Sequence, residues 1–153
     1  MARTTDSDRA EEGFVDGYLA FLLAKASHLV SGGFHRQLKT MGISIATWRI
    51  LAVLGDGARP VGELADRVLL NQPTLSKALD RLERDGLIKR SREAANRRSV
   101  TVSLLPRGRA MAARLLPMAN AHEAEAFASL GASERRALVG MLQRTIAANA
   151  RAL

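Results

Sequence analysis

The sequence predicts a mainly α fold that carries one short β-hairpin. Apolar residues recur at helical spacing over most of the 153 residues, whereas polar and apolar residues alternate over one stretch only, Val100 to Leu104. A period near 3.6 residues indicates an amphipathic helix, and a period of two indicates a strand. A short extended run, Leu87 to Arg90, precedes that stretch. The two strands are therefore expected to pair as a hairpin.

Six helices are predicted, with boundaries set by capping and helix-breaking residues. The first extends from about Glu11 to Lys39, is loosened at Gly32-Gly33 and ends before Gly42. The next three are expected at residues 44–55, 61–68 and 73–84. A fifth runs from Pro106 towards Leu130, and a sixth starts near Gly131 or Ser133. Pro117 is expected to kink or split the fifth helix, because an interior proline removes a backbone hydrogen bond.

Positive charge is concentrated in the middle of the chain. The sequence has 23 Lys and Arg against 15 Asp and Glu, a formal charge of +8. Between Arg59 and Arg109 there are 12 basic and 6 acidic residues, so this third of the chain carries +6 of the +8. A localised excess of this kind favours a polyanionic partner, either nucleic acid or an anionic membrane.

The composition excludes several classes of protein. The chain has no cysteine, which rules out thiolate nucleophiles, zinc fingers and thiol-based redox switches. It has no run of 18 apolar residues, and its first 15 residues mix Arg, Asp and Glu. This pattern is unlike a membrane span or a secretory signal, so we expect a soluble, cytoplasmic protein that does not enter the membrane.

The order of the central elements points to nucleic acid. Helix, tight break, helix and then hairpin is the order of a winged helix-turn-helix, whose second helix enters the major groove of DNA. The polar face of that helix lies opposite a stripe of Leu75, Leu79 and Leu82, and the hairpin tip is basic. The expected DNA-binding residues are Gln72, Pro73, Thr74, Ser76, Lys77, Arg81, Arg84, Arg92, Arg97 and Arg98.

These residues are expected to have different roles. The side chains placed on base edges or nearby phosphates are Gln72, Thr74, Ser76 and Lys77. Arg81 and Arg84 are expected on phosphates, and Arg98 is the first choice for a wing contact in a narrow minor groove. The alternative is an ordinary solvated face with i,i+4 pairs such as Asp80 with Arg84. Lys77 and Arg81, at the same spacing, would repel each other, which favours DNA binding.

Several segments, in their order and spacing, resemble the MarR family of bacterial regulators. The resemblance is carried by Gly42-Ile43-Ser44 with Trp48 and Leu51, by Val61 to Ala65, by Leu79 to Ile88, and by Asn96-Arg97-Arg98 followed by Val102, Leu104 and Gly108. It extends from about Tyr18 to Ala147. Two positions depart from the family pattern, since Asn96 replaces a usual Asp of the wing and Leu105 a usual Thr before the fifth helix.

The resemblance implies a ligand-responsive repressor that binds an inverted-repeat operator as a homodimer. The apolar residues expected to cover each other between subunits are Phe14, Tyr18, Leu138, Leu142, Ile146 and Leu153. The alternative for them is ordinary intrachain core. On this interpretation residues 1–153 form a single domain, with dimerisation helices in 11–42 and 106–153 and a DNA-binding lobe in 43–105.

The resemblance also implies an effector pocket between the helical region and each DNA-binding lobe. Its expected ligand is a small phenolic or aromatic acid, or its thioester. The candidate lining residues are Ser27, His28, His35, Arg36, Trp48 and Arg49. Either Arg36 or Arg49 is suited to pair with a carboxylate, whereas Trp48 is also suited to a place in the core.

Other functions find less support in the residues. No nucleophile motif, zinc-protease motif, phosphate loop or dinucleotide fingerprint is present, so we expect neither an enzyme nor a cofactor. A metal-responsive regulator would need histidines such as His28, His35 and His122, which are scattered. A protein-interaction module that has lost DNA binding is the remaining alternative.

Overall fold

The computed structural model describes residues 13–93 and 96–150, and for residues 93 and 96–98 it describes the backbone alone. The chain forms two compact units, residues 1–116 and residues 117–153. The elements are α1 (Phe14–Gly17), α2 (Leu19–Thr40), α3 (Ile45–Gly55), β1 (Arg59–Pro60), α4 (Val61–Val68), α5 (Gln72–Arg84), β2 (Ile88–Glu93), β3 (Asn96–Leu104), α6 (Pro106–Ala126) and α7 (Ala132–Asn149). The predicted fold class, a mainly α winged helix-turn-helix, is confirmed.

Most helix boundaries lie where capping residues predict them. Ser44 precedes α3 and its hydroxyl accepts a hydrogen bond from the Thr47 amide at 3.0 Å. Gly42 adopts a φ of +69° just after α2, a left-handed conformation that ends helices and that glycine adopts without strain. The residue that caps α7 is Gly131, not Ser133, and the Glu134 carboxylate accepts a hydrogen bond from the Gly131 amide at 2.6 Å.

The long helices differ from the prediction in where they are interrupted. Within the described residues, the predicted first helix breaks at Tyr18, whose ψ of 108° is extended, and then runs through Gly32-Gly33 without a break. Helix α6 is not split at Pro117, which lies inside it, and it ends at Ala126 before reaching Leu130. A proline in the middle of a helix removes one hydrogen bond, and the remaining bonds here maintain the helix on both sides.

The β-structure is larger than the predicted hairpin. Strands β2 and β3 pair antiparallel, with Ile88 opposite Leu104, and both are longer than the runs 87–90 and 100–104 that were expected. A third strand, β1, pairs with β3 on its other edge, so the sheet order is β1-β3-β2. With only two residues, one of which is a proline, β1 is too short to show an alternating pattern in the sequence.

The buried core belongs to the first unit. Apolar residues that are less than a tenth exposed occur between Phe34 and Leu115 in the described chain, and the largest of those that are fully enclosed are Leu38, Ile50, Leu51, Leu64, Leu75, Leu79, Leu82, Ile88 and Leu115. Helices α3, α4 and α5 and the sheet supply most of them. This core fixes α5 and the β2–β3 hairpin on one scaffold.

The second unit contains the end of α6, a turn and α7. None of the described residues of α7 is buried. Val139, Met141 and Ile146 are 49%, 54% and 67% exposed. A helix with apolar residues exposed to this extent gains little from tertiary packing within its own chain.

Gly108 allows α6 to approach the start of the wing. A Cβ at this position would overlap the backbone carbonyl of Leu87, which accepts a hydrogen bond from the Leu105 amide at 2.9 Å. Any side chain at residue 108 therefore pushes α6 away from Leu87, the residue just before β2.

We expect Gly108→Ala to lower the free energy of unfolding by about 3 kcal/mol, a value typical of overpacking against a fixed neighbour. Urea denaturation of both proteins measures it. The matched control is Gly62→Ala in α4, where an added Cβ meets no atom within 4 Å. This control should be neutral or more stable, by up to about 1 kcal/mol. Equal stabilities for the two variants would contradict the close approach.

Candidate nucleic-acid interface

Helix α5 has one buried face and one exposed face. Leu75, Leu79 and Leu82 are 0%, 1% and 2% exposed, and they hold the helix against the core of the first unit. The opposite side is open to solvent at the positions predicted to bind DNA, namely Gln72, Pro73, Thr74, Ser76, Lys77, Arg81 and Arg84. The helical period thus presents these side chains together.

The N-terminus of α5 is capped from within the chain. The Asn71 side chain accepts a hydrogen bond from the Thr74 amide at 2.9 Å, and the Asn71 carbonyl accepts one from the Leu75 amide. Helix α5 starts one residue earlier than predicted, so Pro73 is its second residue and has no amide hydrogen. In this first turn, Gln72 is therefore the one residue whose amide neither lacks a hydrogen nor bonds to Asn71.

A concave groove separates α5 from the hairpin. Its volume is 750 Å³, and it is lined by Pro60, Val61, Gly62, Gln72, Ser76, Leu79, Arg90, Ser91, Arg92, Ser99 and Val100. Three of the predicted DNA-binding residues, Gln72, Ser76 and Arg92, thus meet on one surface. Lys77 and Arg84 lie on the exposed face of α5 outside this lining. The side chains of Arg97 and Arg98 lie outside the described part of the chain.

Ion pairs neutralise several cations of this region. Glu63 accepts from Arg59 at 3.4 Å and from Arg67 at 3.0 Å. Arg81, predicted on a phosphate, lies 3.8 Å from Asp85, a long contact between exposed groups that contributes little. Asp80 pairs with Arg90 and not with Arg84, the partner considered for it in the solvated-face alternative. Among the described side chains from Arg59 to Arg92, the cations left without an ion pair are Lys77, Arg84, Lys89 and Arg92.

Arg90 forms the densest polar contact of the region. Its Nε and Nη2 donate to Glu83 Oε2 at 2.9 and 2.8 Å, and Nη2 also donates to Asp80 Oδ1 at 2.7 Å. Its backbone amide donates to Glu83 Oε1 at 2.9 Å. These bonds join β2 to α5 across the end of the groove.

The contact keeps Glu83 ionised. The hydrogen bond from the Arg90 amide, followed by those from its guanidinium, lowers the pKa of the Glu83 carboxyl below its ordinary value. A carboxyl with a lowered folded pKa stabilises the fold above its unfolded pKa of about 4.3 and loses that contribution as the pH falls through the folded value. The contact is therefore intact throughout the neutral range.

A second concave surface lies at the end of α2 in the same unit. Its volume is 500 Å³, and its lining residues are His35, Arg36, Lys39, Gly42, Ile43, Ser44 and Ile45. Two of the predicted effector residues, His35 and Arg36, line it. Burial lowers the pKa of His35, and the positive Arg49 lowers it further. His35 is thus neutral at pH 7, and the cations facing this surface are Arg36 and Lys39.

The other predicted effector residues are not part of this lining. Ser27 and His28 are exposed earlier on α2. Trp48 packs edge-on against the buried Phe34, with ring centroids 5.1 Å apart. Arg49 donates to the Val68 carbonyl at the end of α4, at 3.3 Å. Both contacts connect helices of the first unit.

A membrane span and a metal site would be alternatives to a nucleic-acid interface. No single helix in the described ranges is long and apolar enough to cross a membrane, and α2 and α3, which reach that length only together, are bent by 99° at their junction. No group of three His, Asp or Glu side chains in the same ranges is placed to hold a metal ion.

Known proteins with similar sequences and folds identify the family. The MarR family model matches residues 41–99. The crystal structure of a MarR-family transcriptional regulator from Silicibacter pomeroyi is 32% identical, with a TM-score of 0.78, and the match covers 87% of this chain and 90% of that one. This chain belongs to the MarR family. Like its relatives, it is a transcriptional regulator and not an enzyme.

Two further relatives are linked to small aromatic molecules. BpsR from Bordetella bronchiseptica, whose DNA binding is regulated by 6-hydroxynicotinic acid, is 27% identical with a TM-score of 0.73, over 83% of this chain and 97% of that one. The homoprotocatechuate degradative operon repressor of Escherichia coli is 26% identical, over 84% of this chain and 88% of its own length.

Some residues of this MarR-family surface were missed by sequence reasoning. Arg90 was placed only at the end of a strand, although Asp80 and Glu83 are three residues apart and so share a face of α5, a signal that a partner lies nearby. Lys39 was also missed, although it lies one turn after His35 and Arg36 on α2. Of the two departures from the family pattern, the Asn96 side chain lies outside the described residues. The Leu105 amide is bonded to Leu87.

Proposed function

We propose that this MarR-family regulator binds an inverted-repeat operator in double-stranded DNA as a homodimer, in the cytoplasm, and that a small aromatic acid alters this binding. The observation that carries the proposal is the exposed N-terminal half of α5, beside the groove that separates α5 from the hairpin. There Gln72, Ser76 and Lys77 are accessible, and Lys77 has no ion pair among the described side chains.

The accessible groups match the chemistry of a major groove. Glutamine pairs with adenine edges, lysine with guanine, and hydroxyls with either. The unpaired cations Lys77, Arg84, Lys89 and Arg92 supply the phosphate attraction that holds a helix in register on the duplex. Arg98 is proposed for the minor-groove contact of the wing, and Arg97 for a nearby phosphate.

The proposed dimer would cover apolar surface at both ends of the chain. In the first unit, Phe14 and Leu19 are 79% and 68% exposed, and in the second unit Ile146 is 67% exposed. Apolar residues clustered at this exposure mark an interface in soluble proteins. A two-fold dimer places its recognition helices about 34 Å apart, on successive major grooves, which matches an inverted repeat.

The proposed effector site is the concave surface at the end of α2. Arg36 and Lys39 supply positive charge, and Ile43 and Ile45 supply apolar contact, a combination suited to an aromatic ring with a carboxylate. Two relatives favour the same ligand class, namely BpsR, whose DNA binding is regulated by 6-hydroxynicotinic acid, and the homoprotocatechuate degradative operon repressor. Linkage requires that a ligand that weakens DNA binding is itself bound more weakly by the DNA complex.

The DNA proposal separates base contacts from phosphate contacts. On the operator mapped by footprinting upstream of its own gene, Gln72→Ala should cost about 1–3 kcal/mol and change base preference. Arg84→Ala and Arg98→Ala should instead weaken binding to all duplexes equally, and each should reduce the slope of log K against log salt by about 1. Fluorescence anisotropy at several salt concentrations measures both effects.

Lys25→Ala is the control for that experiment. Lys25 lies on α2 over the Phe21 ring, outside the winged lobe, so its removal should leave affinity, preference and salt slope unchanged. If Gln72→Ala kept the wild-type base preference, α5 would not be the reading helix. If Arg98→Ala bound every duplex normally, the wing assignment would be wrong.

The effector proposal depends on Arg36. We expect calorimetry to detect binding of benzoate or 6-hydroxynicotinic acid to the free protein, and Arg36→Ala to weaken it about tenfold, the value of one charged hydrogen bond. Lys25→Ala, which removes a cation from the same helix, should bind as wild type. Equal affinities for all three proteins would remove Arg36 and this surface from the site.

A further inference from the structure

The Asp80–Glu83–Arg90 cluster lies on the DNA-facing side of the lobe, and its charge is of the wrong sign for DNA. One guanidinium and two carboxylates sum to −1, so the cluster as a whole repels a phosphate. Arg90 is 31% exposed, and three of its hydrogen bonds end on the two carboxylates of α5. The presence of such a cluster beside the groove of a basic lobe indicates a role other than the attraction of phosphate.

We propose that Arg90 is a positioning residue, which clamps the wing to the recognition helix so that both meet DNA in a fixed relative orientation. This inference rests on the proposed DNA-binding function and adds a residue that sets the geometry of the site without contacting the duplex. Asp80 and Glu83 are the other half of the clamp.

The position of Arg90 in the sheet suits this role. It pairs across the hairpin with Val102, which is fully buried and which pairs on its other side with Arg59 of β1. The clamp therefore holds the hairpin where the sheet is three strands wide. Beyond the next pair, from Arg92 outwards, the ribbon has two strands, which by themselves are marginally stable. Fixing the base of such an arm sets the direction of its tip.

The bonds also determine which residues can replace Arg90. Its guanidinium reaches Glu83 through two nitrogens and Asp80 through one of them, and the fork geometry is specific to arginine. Lysine keeps the charge and loses the fork. Arg67 on α4 is exposed, pairs with the single carboxylate of Glu63 and lies outside the groove lining, so it is the matched arginine for the same replacement.

The first test compares Arg90→Lys with Arg67→Lys on the operator. We expect Arg90→Lys to weaken binding about tenfold with an unchanged salt slope, and Arg67→Lys to stay within about twofold of wild type. Hydrogen exchange of the Ser91, Arg92, Val100 and Thr101 amides in the free protein should be faster in Arg90→Lys alone. Wild-type affinity of Arg90→Lys, or unchanged wing exchange, would overturn the clamp.

The second test uses the sign of an electrostatic effect. Glu83→Gln and Asp66→Asn each remove one negative charge from the lobe, and Asp66 is exposed on α4. Charge alone makes both variants bind DNA more tightly. The clamp predicts that Asp66→Asn binds as tightly as wild type or tighter, and that Glu83→Gln binds several-fold more weakly. If Glu83→Gln bound as tightly as Asp66→Asn, the proposal would fail.

The two tests also separate this inference from the proposed function. If the wild-type protein did not prefer its operator, the proposed function would fall, and wing exchange in Arg90→Lys would then decide whether Arg90 fixes the hairpin. If the wild type preferred its operator and Arg90→Lys bound that operator as tightly as the wild type does, the proposed function would stand and the clamp would fall.

Discussion

Burial of the leucine stripe on α5 is the constraint on which the proposed interface depends. Leu75, Leu79 and Leu82 are almost completely enclosed, and burying each stabilises the fold by about 2 kcal/mol. Because a helix makes one turn every 3.6 residues, fixing this stripe also fixes the direction of all the remaining side chains of α5. Gln72 and Ser76 are thereby directed into the groove, and Asp80 and Glu83 towards the wing.

The second constraint is the way charge is divided within the lobe. Many of its basic residues fall into two sets that a count of charges does not distinguish. Arg59 and Arg90 are held by carboxylates of neighbouring elements, and Arg67 pairs with Glu63 within α4. Lys77, Arg84, Lys89 and Arg92 are left accessible for a polyanion. Salt dependence of the proposed DNA binding should therefore report on the second set and scarcely on the first.

Local signals in the sequence predicted much of the fold. The Ser44 cap, Gly42 and the alternation from Val100 to Leu104 each act within a few residues, so α3, the end of α2 and the hairpin were predictable. Strand β1 was not, because two residues carry no periodicity and its pairing with β3 is a long-range contact. The interruption at Tyr18 was also missed, because tyrosine has an ordinary helix propensity and does not by itself signal a break.

The candidate site was also predictable only in part, because some of its contacts join residues that are far apart in the sequence. The exposed face of α5 follows from helical periodicity. The partition of cations depends on which carboxylates lie near them in space, and so Arg90, which pairs with Asp80 and Glu83, escaped notice. Trp48 and Arg49 carry chemistry suited to a ligand, yet their contacts with Phe34 and Val68 are with the fold.

The most direct test of the central claim is a titration of the purified protein against its own upstream intergenic DNA and against a scrambled duplex of equal length, at two salt concentrations. A sequence-specific regulator should bind the native duplex at least ~10³-fold more tightly, with affinity that falls steeply as salt rises. Equal and weak binding to both duplexes would contradict the account, leaving a MarR-family protein whose basic lobe serves another partner.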